Sequence, residues 1–323
     1  MALTQAPAPP VREPRNGRTP TNRRAALMRR RENVAGYTFL SPWLLGFMFI
    51  TAVPMFYSLY LSFTDNELFG DSNWIGFENY KKIFTNDPHF WHAVQVTLIY
   101  ALVAVPLKLA AALGVALLLR RERRGIGLFR ALFYLPSLLG GSVAIAILWQ
   151  AMFSRNGAFN SFLGLFGIEG KAWVNDPDWA LSSIILLGMW QFGAPMVIFL
   201  AGLKQVPPEL YEAAAVDGAT RWNSFWHVTL PALSPVIFFN LVLETIHGFQ
   251  GFTSAYVVSG GTGGPTDSTL MYTLYLYIKG FTEFKMAYAS AMAWVFLIAV
   301  GALTVLLFST GKFWVHYGDG GDK

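Results

Sequence analysis

The sequence predicts an all-α, polytopic membrane protein with six transmembrane helices and a polar, helical loop between helices four and five. Hydrophobic residues make up 54% of the chain and charged residues only 13%, and the mean hydropathy is +0.41. The apolar residues are gathered into runs close to the roughly 20 residues needed to cross the hydrocarbon core of a bilayer. These observations leave little sequence for a soluble domain.

Six apolar runs are long enough to span a bilayer. Pro54, Pro106, Pro136 and Pro195 lie inside four of them and predict kinks in those membrane helices. The predicted spans are Tyr37–Leu61, Ala93–Leu119, Leu128–Phe153, Leu181–Leu203, Ala232–Phe252 and Ala287–Phe308.

The distribution of Lys and Arg predicts the orientation of the spans. Seventeen of the 24 basic residues lie in the terminal segments and in the connections after spans two and four, and six lie in the opposite connections. Because basic residues favour the cytoplasmic side, we expect both termini and the 204–231 loop in the cytoplasm, with the chain spanning the cell membrane several times. The predicted parts are a disordered, basic, cytoplasmic tail at 1–35, a membrane domain at 36–310 and a cytoplasmic tail at 311–323.

The composition also argues against several functions. The chain has no Cys, and its five His show no metal-ligand spacing, so a metal enzyme is not expected. The net charge of +5 comes from short basic loops beside apolar runs, which predicts contact with membrane lipid and not with nucleic acid. The Gly-x-x-x-x-Gly-Lys-Ser/Thr pattern of a P-loop is missing from the sequence, so we expect no ATP hydrolysis by that route and no cofactor in this chain.

The 204–231 loop is polar where its neighbours are apolar, and its sequence predicts two short helices. Pro208 suits the first position of a helix, and Glu209 and Glu212 suit the opening turns. Gly218 can take the left-handed conformation that a sharp reversal needs, and Thr220 can cap a second helix. We expect that second helix to end at Leu230-Pro231, where the fifth span begins.

The same loop resembles the EAA loop of bacterial ABC importer permeases. The match consists of Glu212-Ala213-Ala214, Gly218 four positions later, and Val228-Thr229-Leu230-Pro231. The fuller run Glu-Ala-Ala-Ala-Val-Asp-Gly-Ala is similar to the carbohydrate-uptake branch of binding-protein-dependent permeases, of the maltose-porter first-subunit type. The alternative interpretation is an amphipathic hairpin lying on the lipid headgroups.

The resemblance implies a function and a set of partners. The EAA loop of this family docks on a separate cytoplasmic ATPase, which implies ATPase-coupling residues at Glu212, Ala213, Ala214, Asp217 and Gly218. The family also implies a second, paralogous permease, an ATPase dimer that binds ATP and Mg, an extracytoplasmic solute-binding protein and a carbohydrate substrate, such as a disaccharide, an oligosaccharide or a related polyol. Leu210, Ala213 and Ala214 lie on one face of the first loop helix, and we expect this face to dock on the ATPase.

Span five carries a polar stripe that predicts solute contact. Asn240, Glu244, His247 and Gly251 fall at i, i+4, i+7 and i+11, on one helix face, with Gln250 nearby. Polar groups inside a membrane are costly and are therefore functional candidates. An equally weighted alternative is that the stripe pairs with the partner permease or with Lys108. Trp190 and Gln191 in span four are further candidates for substrate binding.

Two other functional classes remain open. An ion-coupled secondary transporter would carry inverted repeats and intramembrane carboxylates, whereas the spans offer essentially one carboxylate, Glu244. A non-transporting membrane scaffold would leave the polar stripe and the spacing of the loop unexplained. The glycine-rich segment at 260–269 is similar to the Thr-Gly-Gly-Gly-Pro segment of sugar permeases, and we expect a flexible turn there.

Overall fold

The computed structural model describes residues 20–65, 73–121 and 124–316, and side chains from residue 32 onward. The described residues are mostly helical, with one isolated antiparallel bridge between Thr64 and Trp74. The helices are α1 (Pro20–Gly46), α2 (Val53–Ser62), α3 (Glu78–Thr85), α4 (Pro88–Leu119), α5 (Ile126–Leu139), α6 (Val143–Phe153), α7 (Ala158–Gly164), α8 (Pro177–Trp190), α9 (Gly193–Gln205), α10 (Pro208–Val216), α11 (Arg221–Ser224), α12 (Leu230–Phe249), α13 (Thr253–Val258), α14 (Tyr272–Tyr277) and α15 (Met286–Trp314).

The chain divides into two compact units, Met1–Tyr57 and Ser58–Lys323. In the first unit, helix α1 begins at Pro20, so residues 20–35 are helical where we predicted a disordered tail. Pro20 suits the first helical position, and the Ala, Leu and Arg residues that follow are good helix formers. Residues 1–19 of that predicted tail lie outside the described residues. A π-helical turn at Phe47–Ala52 separates α1 from α2, and Pro54 follows it.

The second unit contains the other candidate spans. In the described residues, four helices are long and apolar enough to cross a membrane, and the number rises to six if each of two bent helix pairs is one span. The four include Glu32–Ser62, which extends across the boundary of the first unit. The bent pairs are Ile126–Leu139 with Val143–Gly164, at 100°, and Pro177–Trp190 with Gly193–Gln205, at 41°.

The bend of span four agrees with the predicted kink at Pro195, whereas the bend of span three lies away from Pro136. Span three breaks at Gly140-Gly141, whereas α5 runs through Pro136. Span four breaks at Gln191-Phe192, three residues before Pro195. A helix can accommodate an internal proline when other groups satisfy its free carbonyl, so the position of a proline alone does not fix the position of a break.

The two breaks satisfy each other's backbone groups. The Gln191 carbonyl lacks a donor from Pro195, and Ser137 Oγ donates to it at 3.1 Å. Ser137 Oγ accepts in turn from the Ala194 N–H at 3.0 Å, and Gln191 Nε2 donates to the Gly140 carbonyl at 2.9 Å. The close approach requires glycine at 193, because a Cβ there would lie 2.6 Å from the Phe133 carbonyl oxygen.

Helix α4 is the central element of the second unit. Its buried residues include many alanines, which let α8, α9 and α12 approach closely. Towards its Pro88 end, Phe90, Ala93 and Val96 join one buried apolar cluster, and towards its Leu119 end Leu109 and Ala112 join a second one. A single rigid helix therefore passes through both parts of the core.

One predicted boundary is wrong in detail, and one predicted tail is partly helical. Helix α11 does not stop at Leu230-Pro231 but continues through a π-helical turn, Phe225–Thr229, into α12, which has Pro231 near its start. Helix α15 continues to Trp314, so residues 311–314 of the predicted C-terminal tail are helical. The remainder at 317–323 lies outside the described residues.

We expect Gly193→Ala to lower the thermal midpoint of the purified protein, with a loss of about 1–3 kcal/mol typical of overpacking against fixed backbone. Gly114→Ala in α4 is the matched control, because a Cβ there meets nothing within 4 Å and alanine is the better helix former. Thermal unfolding in detergent measures both variants. Equal thermal midpoints for the two variants would contradict the close packing of Gly193 against the backbone at Phe133.

Candidate functional site

A polar cavity of about 220 Å³ lies where α4, α8 and α12 meet the breaks after α5 and α12. It combines hydroxyl, amide, imidazole and charged groups with several glycines, which bring backbone close to the space. Its lining residues are Tyr100, Ala104, Val105, Lys108, Gly140, Gly141, Gly188, Gln191, Glu244, His247, Gly248, Gly251, Phe252, Thr253 and Ser254.

An ion pair between α4 and α12 forms one wall of the cavity. Lys108 Nζ donates to Glu244 Oε2 at 2.7 Å, and the two side chains are only 17% and 10% exposed. A buried charge is costly unless it is paired, so each of the two residues offsets the desolvation cost of the other. The pairing of Glu244 with Lys108, one of the two alternatives from the sequence, is present, and both residues also face the cavity.

The other predicted substrate residues divide into two groups. Gln191 and His247 line the cavity together with Glu244. Asn240 is 1% exposed and donates through Nδ2 to the Val236 carbonyl of its own helix, so it lies outside the cavity lining. Trp190 and Gln250 do not line it either.

The reasons for these exclusions are local. Trp190 lies beside an apolar pocket formed with Phe129 and Phe133, whereas its neighbour Gln191 reaches the cavity. Gln250 is exposed at the C-cap of α12, where the helix ends and its periodicity no longer fixes the direction of a side chain.

Several lining residues were not among the predicted substrate residues, although Lys108 was predicted as a partner of the polar stripe. Tyr100, Ala104 and Lys108 lie at i, i+4 and i+8 on α4, so the helical spacing that marked the stripe of span five could also have marked this one. Tyr100 requires a glycine opposite it, because a Cβ at Gly188 would lie 2.5 Å from the tyrosine hydroxyl oxygen. Thr253 and Ser254 line the cavity only because the chain turns at Gly251, and no local sequence pattern indicated that turn.

Residues 208–220 of the 204–231 loop have the local structure that their sequence predicted. Helix α10 begins at Pro208 with Glu209 in its first turn, and it ends before Gly218, whose φ is +76°. Thr220 caps α11 by accepting from the Asn223 N–H at 3.3 Å. The five residues implied by the EAA resemblance are exposed or half-buried: Glu212, Ala213, Ala214, Asp217 and Gly218.

The loop is tied to α4 and to the start of α12 through one tyrosine. Arg120, the C-cap of α4, donates from a guanidinium N–H to the Tyr211 hydroxyl at 3.2 Å and lies 4.8 Å from the ring centroid. The Tyr211 hydroxyl is also 3.1 Å from Thr229 Oγ1, in the π-helical turn that leads into α12. Helices α4 and α12 are therefore connected twice, here and at the Lys108–Glu244 pair.

The other end of α4 is held by a carboxylate. Asp87 caps α4 through the Phe90 N–H at 3.2 Å and accepts from the hydroxyls of Tyr275, at 2.6 Å, and Tyr288, at 2.5 Å. Burial raises the pKa of Asp87, but these hydrogen bonds together with the charge of Lys279 lower it more, so the net pKa lies below its usual value.

The glycine-rich segment at 260–269 is anchored to the bundle, in contrast to the flexible turn that we predicted. His92 Nε2 donates to the Asp267 carbonyl at 3.1 Å, and His89 Nδ1 lies 3.1 Å from the Asp267 carboxylate. Thr269 is fully buried and donates to the Gly264 carbonyl. In the part of the chain that the structure describes, no cluster of three or more His, Asp or Glu is placed to hold a metal ion.

Comparisons with known proteins identify the family. Residues 109–313 match the family described as the binding-protein-dependent transport system inner membrane component. The chain is 50% identical to the probable ABC transporter permease protein YesP of Bacillus subtilis, over 89% of this chain and 94% of that protein. It is 35% identical to the lactose transport system permease protein LacF of Rhizobium radiobacter, over 88% of this chain and 96% of that protein.

A solved structure has the same fold. The match is to the crystal structure of a bacterial alginate ABC transporter in complex with an alginate pentasaccharide-bound periplasmic protein, with a TM-score of 0.76 and 22% identity over 87% of this chain and 95% of the matched chain. The chain belongs to the family of inner-membrane permease components of binding-protein-dependent ABC transport systems. The all-α membrane fold and the family resemblance predicted from the sequence are confirmed, and the chain is a transport subunit rather than an enzyme.

We expect Lys108→Met to destabilise the protein by about 3–5 kcal/mol, because the Glu244 carboxylate then remains buried without its partner. The double variant Lys108→Met with Glu244→Gln should recover most of that loss, since it removes both charges. Thermal unfolding of the two variants in detergent tests the expectation. If the double variant were no more stable than the single one, the charges of Lys108 and Glu244 would not stabilise each other.

Proposed function

We propose that this chain is one of two permease subunits of an ATP-driven importer that moves a carbohydrate into the cytoplasm. The observation that carries the proposal is the cavity: its lysine and glutamate neutralise each other and are surrounded by tyrosine, glutamine, histidine, threonine and serine side chains. Such a set offers many hydrogen bonds and no net charge from the ion pair, which suits a neutral, polyhydroxylated solute. The similarity to a lactose permease supports the same substrate class.

The size of the cavity supports a two-subunit site. At about 220 Å³ it is smaller than the roughly 300–1,000 Å³ typical of small-molecule sites. A second, paralogous permease that faces this cavity would complete the enclosure. Gln191, Glu244 and His247 are the predicted substrate-binding residues that this half of the site retains, with Tyr100 and Lys108 added to them.

The energy for transport would come from a separate ATPase dimer that binds ATP and Mg. In this proposal the 204–231 loop and both chain termini lie in the cytoplasm, and the exposed face of α10 docks on the ATPase through Glu212, Ala213 and their neighbours. An extracytoplasmic solute-binding protein delivers the sugar at the Pro88 end of α4.

The connections of α4 and α12 support a path from the loop to the cavity. Lys108 and Arg120 are 12 residues apart on one helix, so they are about 18 Å apart along its axis. A displacement of the loop that moves Tyr211 would act on α4 through Arg120 and on α12 through Thr229. Both helices carry a member of the ion pair in the cavity wall, so the same displacement would reach the solute site.

Co-purification tests the assignment to an importer. We expect the tagged chain, extracted from its native membrane in a mild detergent, to bring stoichiometric amounts of a P-loop ATPase and a second permease, identified by mass spectrometry. Recovery of the chain alone, in a detergent that preserves membrane complexes, would overturn ATP coupling. That result would favour the ion-coupled transporter or the scaffold.

The docking role of the 204–231 loop predicts a charge-specific defect. We expect Glu212→Lys to reduce sugar uptake by more than about tenfold, because an unfavourable charge in an interface costs several kcal/mol. Glu169→Lys is the matched control, an exposed glutamate in another connection. Uptake of radiolabelled lactose by reconstituted vesicles is compared with the amount of ATPase retained on the complex. Normal uptake by an assembled Glu212→Lys complex would exclude this docking face.

A further inference from the structure

Four contacting aromatic rings lead from the cavity to the protein surface: three of them pack against one another in a triangle, and the fourth extends from one of these. Phe252 and Tyr256 are stacked with ring centroids 5.3 Å apart, and Tyr277 packs against both, at 5.3 and 5.4 Å. Phe281 stacks on Tyr277 at 5.2 Å. We call these four residues the aromatic row. Phe252 lines the cavity, whereas Tyr256 is 36% and Phe281 57% exposed.

The row is mounted on elements that are anchored in the core. Tyr256 lies on α13, whose Ala255 and Val258 are buried in the same apolar cluster as Leu274 of α14. Phe281 lies in the π-helical turn Ile278–Thr282, where Gly280 is buried against Ala289 of α15. The opposite faces of these short helices are therefore fixed by packing, which leaves the rings held in place at the surface.

Charged groups beside the row indicate a water-facing surface. Lys279, in the same turn as Phe281, donates to the Glu283 carboxylate at 2.7 Å, and Lys285 donates to it at 2.6 Å. Burial raises the pKa of Glu283, but the hydrogen bonds from the two lysines lower it more, so the carboxylate stays ionised. Fixed charges of this kind are costly against hydrocarbon, so the row does not belong to a lipid-facing surface.

We propose that the aromatic row is an entry track for an oligosaccharide, on which successive sugar rings stack before they enter the cavity. Sugars present apolar C–H faces alongside hydroxyls, and an aromatic ring provides a large apolar face with a negative quadrupole for those C–H groups. Phe252 joins the track to the cavity, so a sugar that leaves the row meets Gln191, Glu244 and His247 next. The proposal rests on the proposed function and narrows the substrate to sugars longer than one ring.

The track predicts that the effect of losing the rings grows with the length of the sugar. Tyr256→Leu combined with Phe281→Leu keeps apolar side chains but removes two stacking faces. We expect the half-saturating concentration for uptake to rise about tenfold for a galacto-tetrasaccharide and less than about twofold for lactose. The measurement uses the complete transporter with its binding protein in vesicles, with both sugars radiolabelled.

Two further variants separate a track from a structural role. Tyr256→Phe keeps the aromatic ring, so its half-saturating concentrations for both sugars should stay close to those of the wild type. Phe166→Leu removes an exposed ring outside the row and should behave as the wild type. A double leucine variant that affects both sugars equally, affects neither, or loses a subunit of the complex would overturn the track.

The same assay distinguishes the two levels of the proposal. If the wild-type transporter takes up neither sugar although it hydrolyses ATP with its binding protein, the carbohydrate assignment fails and the track fails with it. If the wild type transports both sugars and the leucine variant shows no dependence on length, only the track fails.

Discussion

The arrangement of the site depends on one constraint, which is that backbone groups inside a membrane must find partners within the protein. Two candidate spans break near their middles, at Gly140-Gly141 and at Gln191-Phe192, and each break exposes carbonyl groups. Ser137 and the amide of Gln191 satisfy carbonyls across the gap, so the two breaks stabilise each other. The space beside them is lined by backbone and polar side chains, and this space is the cavity.

The buried ion pair has a related role. Lys108 and Glu244 would each be costly alone, and together they place polar atoms in the cavity wall without net charge. Because both lie on long helices of the core, their positions are set by the packing of α4 against α12 rather than by a loop. In the proposed transport cycle, the same two helices connect the cavity with the 204–231 loop through Arg120, Tyr211 and Thr229.

The two ends of α4 differ in chemistry. At its Leu119 end, a cationic guanidinium interacts with a tyrosine of the exposed loop. At its Pro88 end, Asp87 is held by two tyrosine hydroxyls, and His92 anchors the glycine-rich segment. This second end fixes the segment before α14 and α14 itself, which carries Tyr277 of the aromatic row. These bonds hold that end of α4 in place, as the proposed delivery of a solute there would require.

The sequence by itself determined the features that depend on local rules. Apolar length predicted membrane helices, and Pro208, Gly218 and Thr220 predicted the start, the reversal and the second cap of the 204–231 loop, all of which the structure confirms. These positions are set by the conformational limits of proline and glycine and by capping hydrogen bonds a few residues away. The motif spacing in the same loop also identified the family correctly.

Only the tertiary structure decided where the spans break and which polar residues meet. Helical periodicity placed Asn240, Glu244 and His247 on one face, but it could not show that Asn240 is buried in packing while the other two reach the cavity. The proline of span three indicated a kink at Pro136, yet the break lies at Gly140, where the freed carbonyl finds a partner on another helix. Partners distant in sequence decide these features, and a local pattern carries no information about them.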